Sequence, residues 1–237
     1  MIVFIKLLLA HLIGDFILQP TSWVQDKEKK KLKSIYLYIH ASLQGILSWI
    51  LIGDPWFVGY ALLLVAIHGF IDYVKLFFQK KDNKRTWFII DQIAHLVSLA
   101  VIVIAYQNLT FEINEENAKP FWILVTATLF LTKPSSIIIK NIITIWTPEN
   151  NNKKDNSLAN AGNFIGILER LFILCFILTH HFEAIGFLLA AKSIFRFGDL
   201  KAAKDRKLTE YVLIGTLLSF GLAIFIGLMT DFLLQSL

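Results

Sequence analysis

Apolar residues fill long blocks along nearly the whole chain, broken by short polar stretches, with none of the strict alternation that marks half-buried strands. The blocks predict eight helices, over 2–19, 34–53, 55–79, 87–106, 120–146, 161–180, 182–197 and 208–235. Block length is near the roughly 20 residues that a helix needs to cross the hydrocarbon of a bilayer. The one long polar stretch between them, TPENNNKKDNSLAN at 147–160, separates the first five helices from the last three. The expected organisation is a four-helix membrane bundle over 1–110, then an outer loop, a kinked fifth helix and a linker over 111–160. A three-helix membrane segment over 161–237 completes it.

Composition agrees with this picture. Of 237 residues, 56% are hydrophobic and 17% charged, with a mean hydropathy of +0.61, against about 45–50% and about 25% in soluble domains. The fold class expected is therefore all-α, a polytopic integral membrane helix bundle of about eight spans. A net charge of +5 would point to nucleic acid in a soluble protein. Here the charges lie in short loops between apolar blocks, so the partner expected is the lipid bilayer and no nucleic acid.

Charge position also predicts orientation. Lys27, Lys29, Lys30, Lys31 and Lys33 crowd the stretch 20–33, and Lys80, Lys81, Lys84 and Arg85 the stretch 80–86, so both face the cytoplasm by the positive-inside rule. The turn Gly53-Asp54-Pro55 and the acidic stretch with Glu112, Glu115 and Glu116 then face outward. Lys201, Lys204, Arg206 and Lys207 come out cytoplasmic if 120–146 crosses once, with Lys133-Pro134 as a kink inside it. Trp23, Trp49, Trp56, Trp87, Trp122 and Trp146 all fall near predicted span ends, where indole rings prefer the headgroup region. Both termini are expected outside an inner membrane. The first block has no small-residue cleavage pattern and is expected to be retained as a span. The single cysteine, Cys175 in LFILCFIL, excludes an intramolecular disulfide or a CxxC pair and is expected to be a small buried side chain.

Ionisable residues inside membrane helices are costly and need a partner, water or a metal. The first four helices carry seven His and Asp residues: His11, Asp15, His40, His68, Asp72, Asp91 and His95. Three His/Asp pairs are spaced i,i+4, which stacks both side chains on one helix face. All seven lie about four to eleven positions from the assumed cytoplasmic ends, roughly 6–16 Å at 1.5 Å per residue. The order is His-xxx-Asp on the two inward-running helices and Asp-xxx-His on the outward one, as antiparallel helices facing one site require. HLIGDF with YLYIH also parallels HGFIDY with DQIAH, so the half reads as two related hairpins around a pseudo-two-fold axis. Imidazole and carboxylate are ligands for zinc, manganese or iron, and four His with three Asp suffice for one or two such ions. Each pair taken alone reads equally as a local hydrogen bond. Gln19, Gln44 and Gln92 are placed to support the ligands, and Gly14 and Gly69 to allow close helix contact.

The second half carries Glu169, Arg170, Lys192, Arg196 and Glu210 toward cytoplasmic helix ends. Arg170, Lys192 and Arg196 form a candidate pocket for a phosphate or carboxylate. The alternative pairs them with Glu169 and Glu210 in a helix-locking network. His180 and His181 read as interfacial residues, and Lys133 and Lys140 as side chains reaching for the surface.

AHLIGDFILQ at 10–19, HGFIDYVK at 68–75 and IIDQIAHL at 89–96 resemble an uncharacterised bacterial and phage membrane family, domain of unknown function 3307, over roughly the first 110 residues. IGILERLFIL, AIGFLLAAKSIFRF and TEYVLIGTLLSF are similar to the carboxyl-terminal extension of its longer members. The resemblance implies no activity. His/Asp pairs on membrane helices are also loosely similar to the membrane-bound metal-dependent hydrolases.

The function these residues point to first is a membrane metalloenzyme that hydrolyses a phosphorylated or otherwise anionic, lipid-linked or small substrate at the cytoplasmic side. The seven His and Asp residues would hold the metal, with one free Asp as general base, and Arg170, Lys192 and Arg196 would hold the anion. The alternatives are a metal-ion or proton-coupled transporter, and a scaffold with a structural metal.

Overall fold

The computed structural model describes residues 1–107, 116–146, 156–197 and 203–237. Glu112, Glu115, most of the polar linker, Lys201 and the side chains of Arg196, Lys204, Arg206 and Lys207 lie outside the described residues. All described regular structure is helical: α1 (Ile2–Leu12), α2 (Thr21–Lys30), α3 (Ile35–Ile52), α4 (Val58–Phe78), α5 (Lys84–Gln107), α6 (Lys119–Phe130), α7 (Lys133–Ile143), α8 (Asn156–Leu178), α9 (Phe182–Phe197) and α10 (Ala203–Gln235).

Among the described residues six segments are long and apolar enough to cross a membrane: 35–52, 55–78, 84–107, 119–143, 161–178 and 210–235. That corrects the expected eight at two places. The block 2–19 is not one straight helix. After α1 the chain makes a π-helical turn, Ile13–Ile17, then passes through Pro20 into α2, which is bent 83° from the first segment; the two count as a seventh span only if taken together. Pro20 brings no N–H to continue the ladder. At the other place, α9 has 16 residues, about 24 Å, short of a hydrocarbon core of about 30 Å. Large apolar side chains such as Leu62, Ile104, Phe187 and Phe232 are exposed along these helices, the surface expected of a protein that meets lipid.

The stretch 20–33, expected as a loop, is helical as α2 with a short 3-10 turn at Lys31–Lys33. An amphipathic helix on a soluble surface buries an apolar stripe. The buried residue of α2 is instead a lysine, Lys27.

The chain forms two compact units, Met1–Trp122 and Ile123–Leu237. In the first, α1, α3, α4 and α5 pack around Leu7, Ile52, Phe57, Leu64, Leu99, Ile102 and Tyr106. The α3–α4 connection explains itself residue by residue. Gly53 takes φ 77° to close α3, where a side chain would be strained. Asp54 accepts the Trp56 N–H at 2.9 Å and the Tyr106 hydroxyl at 2.5 Å, and Pro55 starts the next turn. This apolar core fills the end of the unit that holds the 53–55 turn. Farther along the same helices the buried residues become His and Asp.

In the second unit α6, α8 and α10 pack around Leu131, Ile173, Leu174, Ile177, Phe220 and Ala223. The kink expected at Lys133-Pro134 is a two-residue break between α6 and α7, which together still make one apolar span of 25 residues. The break frees backbone carbonyls, and Arg170 fills them: its Nε donates to the Leu131 carbonyl at 2.7 Å and its Nη2 to the Thr132 carbonyl at 3.1 Å. Ser135 Oγ donates to the Phe130 carbonyl at 2.6 Å. Cys175, expected buried, is exposed. On a helix that meets lipid the outer face is as apolar as the core, so the surrounding residues do not reveal which face a small side chain takes.

Candidate metal centre

The seven His and Asp residues of the first unit converge. His11, His40, His68, Asp72, Asp91 and His95 are each 5% exposed or less, and the Asp15 side chain is 9% exposed. His11 comes from the end of α1 and Asp15 from the π-helical turn that follows, a local widening of the helix often found where a side chain is re-aimed for function. His40 comes from α3, His68 and Asp72 from α4, and Asp91 and His95 from α5.

Three ligand atoms from three elements form a tight triangle. His40 Nε2 and His68 Nε2 are 3.0 Å apart, and Asp15 Oδ1 lies 3.4 Å from the first and 3.6 Å from the second. A tetrahedral ion with bonds of about 2.0–2.1 Å sets its ligand atoms roughly 3.3–3.4 Å apart, so the triangle has the edge lengths of one coordination face. His95 extends the cluster. Its Nε2 lies 3.5 Å from Asp91 Oδ1 and 3.7 Å from Asp72 Oδ1, and its ring stacks on His68 with centroids 4.0 Å apart. His11 Nδ1 is 3.6 Å from Asp15 Oδ1. Three groupings place one ligand atom per residue within 4.8 Å of one another: Asp15/His40/His68, His11/His68/His95 and Asp15/Asp91/His95.

Hydrogen-bond bookkeeping separates this cluster from an ordinary polar core. Buried polar atoms are nearly always paired. Among the described residues five buried side-chain atoms make no hydrogen bond, and four of them are here: His40 Nδ1, His95 Nδ1, His95 Nε2 and Asp91 Oδ1.

The supporting residues are partly those expected. Gln44 Nε2 donates to Asp15 Oδ1 at 2.5 Å, and Gln92 Nε2 donates to Asp15 Oδ2 at 3.3 Å and to Asp91 Oδ2 at 3.2 Å. Gln19 makes no such bond. Gly14 clears the way for Gln44: a Cβ on Gly14 would lie 2.3 Å from Gln44 Nε2. Gly69 has only ordinary room beside Ala41, whereas Gly45, which the pattern did not single out, brings α3 against the Ala61 carbonyl of α4, 2.8 Å from where its Cβ would be.

Two lysines that sequence reasoning did not place in the site are part of it. Lys27 Nζ donates to Asp72 Oδ2 at 2.6 Å and Lys75 Nζ to Asp91 Oδ2 at 2.7 Å. Lys75 had a local signal, since it follows Asp72 by three positions on the same helix face. Lys27 had none, being one of five lysines in a basic run. Glu28 fastens the same helix through Gln79, at 3.1 Å, and through an ion pair with Lys84. The electrostatic result is asymmetric. Asp72 and Asp91 each face an ammonium, while Asp15 is held by two neutral amides and faces His11, His40 and His68. In this buried layer Asp15 is the carboxylate with no lysine hydrogen-bonded to it.

The second-half candidates lie in the other unit. Besides the two carbonyls, Arg170 donates to Ser136 Oγ at 2.7 Å and Ser219 Oγ at 3.1 Å, and Lys192 Nζ pairs with Glu169 Oε2 at 2.5 Å. Both border a cleft of about 230 Å³ that Ser136, Lys140, Glu169 and Ser219 also line. The Arg196 side chain is outside the described residues. His180 and His181 are exposed, with His181 Nδ1 3.3 Å from Glu183.

The first unit is thus a helical bundle of apolar, membrane-length helices with a buried His/Asp layer toward one end. The chain belongs to the family described as protein of unknown function DUF3307, whose model matches residues 3–146, a longer stretch than the motifs alone mark. No curated protein and no solved structure matches it. The looser resemblance to membrane-bound hydrolases finds no support there, so any hydrolytic role rests on the chemistry of the residues.

Proposed function

We propose that the first unit is a membrane-embedded divalent-metal centre, with Asp15, His40 and His68 as its principal ligands. The observation that carries this reading is the triangle of those three ligand atoms, at 3.0, 3.4 and 3.6 Å, beside buried imidazole nitrogens without hydrogen bonds. Zinc, manganese and iron all suit the donor set, and His11, Asp72, Asp91 and His95 provide for a second ion. The chemistry such a centre serves best is hydrolysis of a phosphorylated or anionic substrate: the ion activates a water and polarises the scissile group. Asp72 or Asp91, once free of its lysine, is placed to take the proton from that water. Gln44 and Gln92 fix the orientation of Asp15.

The test is made on purified protein in sealed proteoliposomes loaded with zinc, manganese or ferrous iron. The readouts are metal-dependent turnover of phosphate mono- and diesters outside and metal entry reported by a dye inside. Turnover without entry, abolished by His68→Ala, is the expected result. Entry without turnover, abolished by the same change, would replace the hydrolase by the transporter. Silence in both readouts with metal bound would leave a structural ion.

We also propose that the centre opens to the cytoplasm, with both termini outside an inner membrane, on the strength of the basic stretches at 20–33 and 80–86. That topology makes both the first segment, Ile2–Ile17, and α9 cross the bilayer despite their shortness, which requires local thinning. Single cysteines at Asp82 and Ser236, in a Cys175→Ser background, are expected to label from the cytoplasm and from outside respectively. Labelling of position 236 from the cytoplasm would show that α9 does not cross, and labelling of position 82 from outside would reverse the orientation.

A further inference from the structure

We infer that Lys27 and Lys75 form the anion-binding side of the centre: once divalent cations take their places on Asp72 and Asp91, the two ammonium groups hold a phosphate group against the metal. The inference rests on the metal-centre reading above and adds to it the group that the centre receives.

The first ground is position. The Lys27 and Lys75 ammoniums lie 2.6 and 2.7 Å from Asp72 Oδ2 and Asp91 Oδ2, the first of which is also 3.9 Å from His40 Nε2. The other oxygens of the same carboxylates, Asp72 Oδ1 and Asp91 Oδ1, both face His95 Nε2, at 3.7 and 3.5 Å. Two lysines from separate helices therefore converge on one imidazole nitrogen through one carboxylate each, and that nitrogen has no hydrogen bond.

The second ground is charge. Three carboxylates and two lysines sum to −1 with the histidines neutral. One divalent ion brings the cluster to +1, and two bring it to +3. The +3 of the two-ion state is costly in a buried layer, and an incoming phosphate dianion lowers it to +1. A divalent ion on Asp72 or Asp91 also competes with the lysine already there. The displaced ammonium stays tethered beside the metal, short of a counter-charge, and lysine is a common phosphate ligand when it acts as a point charge.

The third ground is access. Lys27 is the buried residue of a helix bent 83° from α1, and Ile17, Leu18, Leu32 and Ile35 around that helix are exposed. Apolar side chains exposed at both ends of that helix suit the headgroup region. Of the two lysines Lys75, with 23% of its side chain exposed, is the one open at the surface, while Lys27 is buried. A phosphate from a lipid headgroup or from solution would meet Lys75 first, and the two sources are separated below.

The experiment uses the full chain in nanodiscs, as wild type, Lys27→Met and Lys75→Met. Bound zinc or manganese is measured by elemental analysis. Phosphate binding to the metal-loaded protein is measured with inorganic phosphate in phosphatidylcholine discs, and by comparing discs with and without phosphatidic acid. Both variants are expected to keep or tighten their hold on metal, because a competing ammonium is gone, and to lose phosphate affinity by at least about tenfold. Competition between phosphatidic acid and inorganic phosphate assigns the lipid as source. Phosphate binding with no such competition assigns the soluble group. Unchanged phosphate affinity in both variants, or wild type that binds metal and no phosphate from either source, overturns the inference while leaving the metal centre standing. Loss of metal from both variants makes the lysines structural and also overturns it. Wild type that binds no metal overturns the metal-centre reading itself.

Discussion

Asp15→Asn is expected to fold and to lose the metal. The substitution keeps shape, and the amide oxygen still accepts from one of Gln44 and Gln92, while the other must turn its own amide over to accept from the new N–H. What it removes is the negative charge at the one carboxylate of the cluster that no lysine balances, and one corner of the three-atom face with His40 and His68. Loss of a group that merely supports a ligand costs ten- to hundredfold in affinity. Loss of the charged ligand should exceed that, by more than about a hundredfold. Elemental analysis of wild type and variant, purified side by side with equal helical content, measures it. Gln44→Ala should give the smaller loss, within about ten- to hundredfold. Equal metal content in wild type and Asp15→Asn would remove Asp15 from the ligand set.

Arg170→Met should destabilise the second unit severely. The guanidinium is 3% exposed and supplies hydrogen bonds to the carbonyls of Leu131 and Thr132, which the break before Pro134 frees, as well as to Ser136 and Ser219. Each buried acceptor left without a donor costs about 1–3 kcal/mol, so the two carbonyls alone amount to roughly 2–6 kcal/mol. Methionine fills similar volume without replacing any donor. Thermal unfolding in detergent should show a large loss for Arg170→Met and a smaller one for Arg170→Lys, with metal content unchanged in any protein that remains folded. If Arg170 serves instead to bind an anion, Arg170→Met will unfold at the wild-type temperature and fail only in anion binding.

Most of the fold was legible because long apolar helices follow simple rules. Long apolar blocks end at charged loops and at the Gly53-Asp54-Pro55 turn, and the structure has helix ends there. Two features were not legible. The bend after α1 depends on a π-helical turn at Ile13–Ile17 and on Pro20, whereas hydropathy runs smoothly from Ile2 to Leu18. The shortness of α9 was the other: its 16 residues are apolar enough for the block pattern, which does not weigh thickness.

The candidate site was legible to a different extent. His/Asp spacing and common depth pointed to seven residues, and all seven side chains come together. The lysines escaped for a physical reason. Positive charges near span ends read as loop residues that fix orientation, and that rule does not foresee a lysine turning back into the bundle to meet Asp72. Arg170 shows the converse. As a buried cation it reads from sequence as an anion site or as part of a helix-locking network with Glu169 and Glu210, while in the structure its donors are taken up by a helix break that the same sequence marks with Pro134.

The central claim is that one ion is bound by His40, His68 and Asp15. X-ray absorption at the zinc edge of the reconstituted protein tests it most directly. The account predicts a shell of nitrogen and oxygen at about 2.0–2.2 Å with the outer-shell scattering of two or more imidazoles and no sulfur, and a shell with fewer imidazoles in His68→Ala. A zinc spectrum without imidazole scattering, or one unchanged by that substitution, would contradict it.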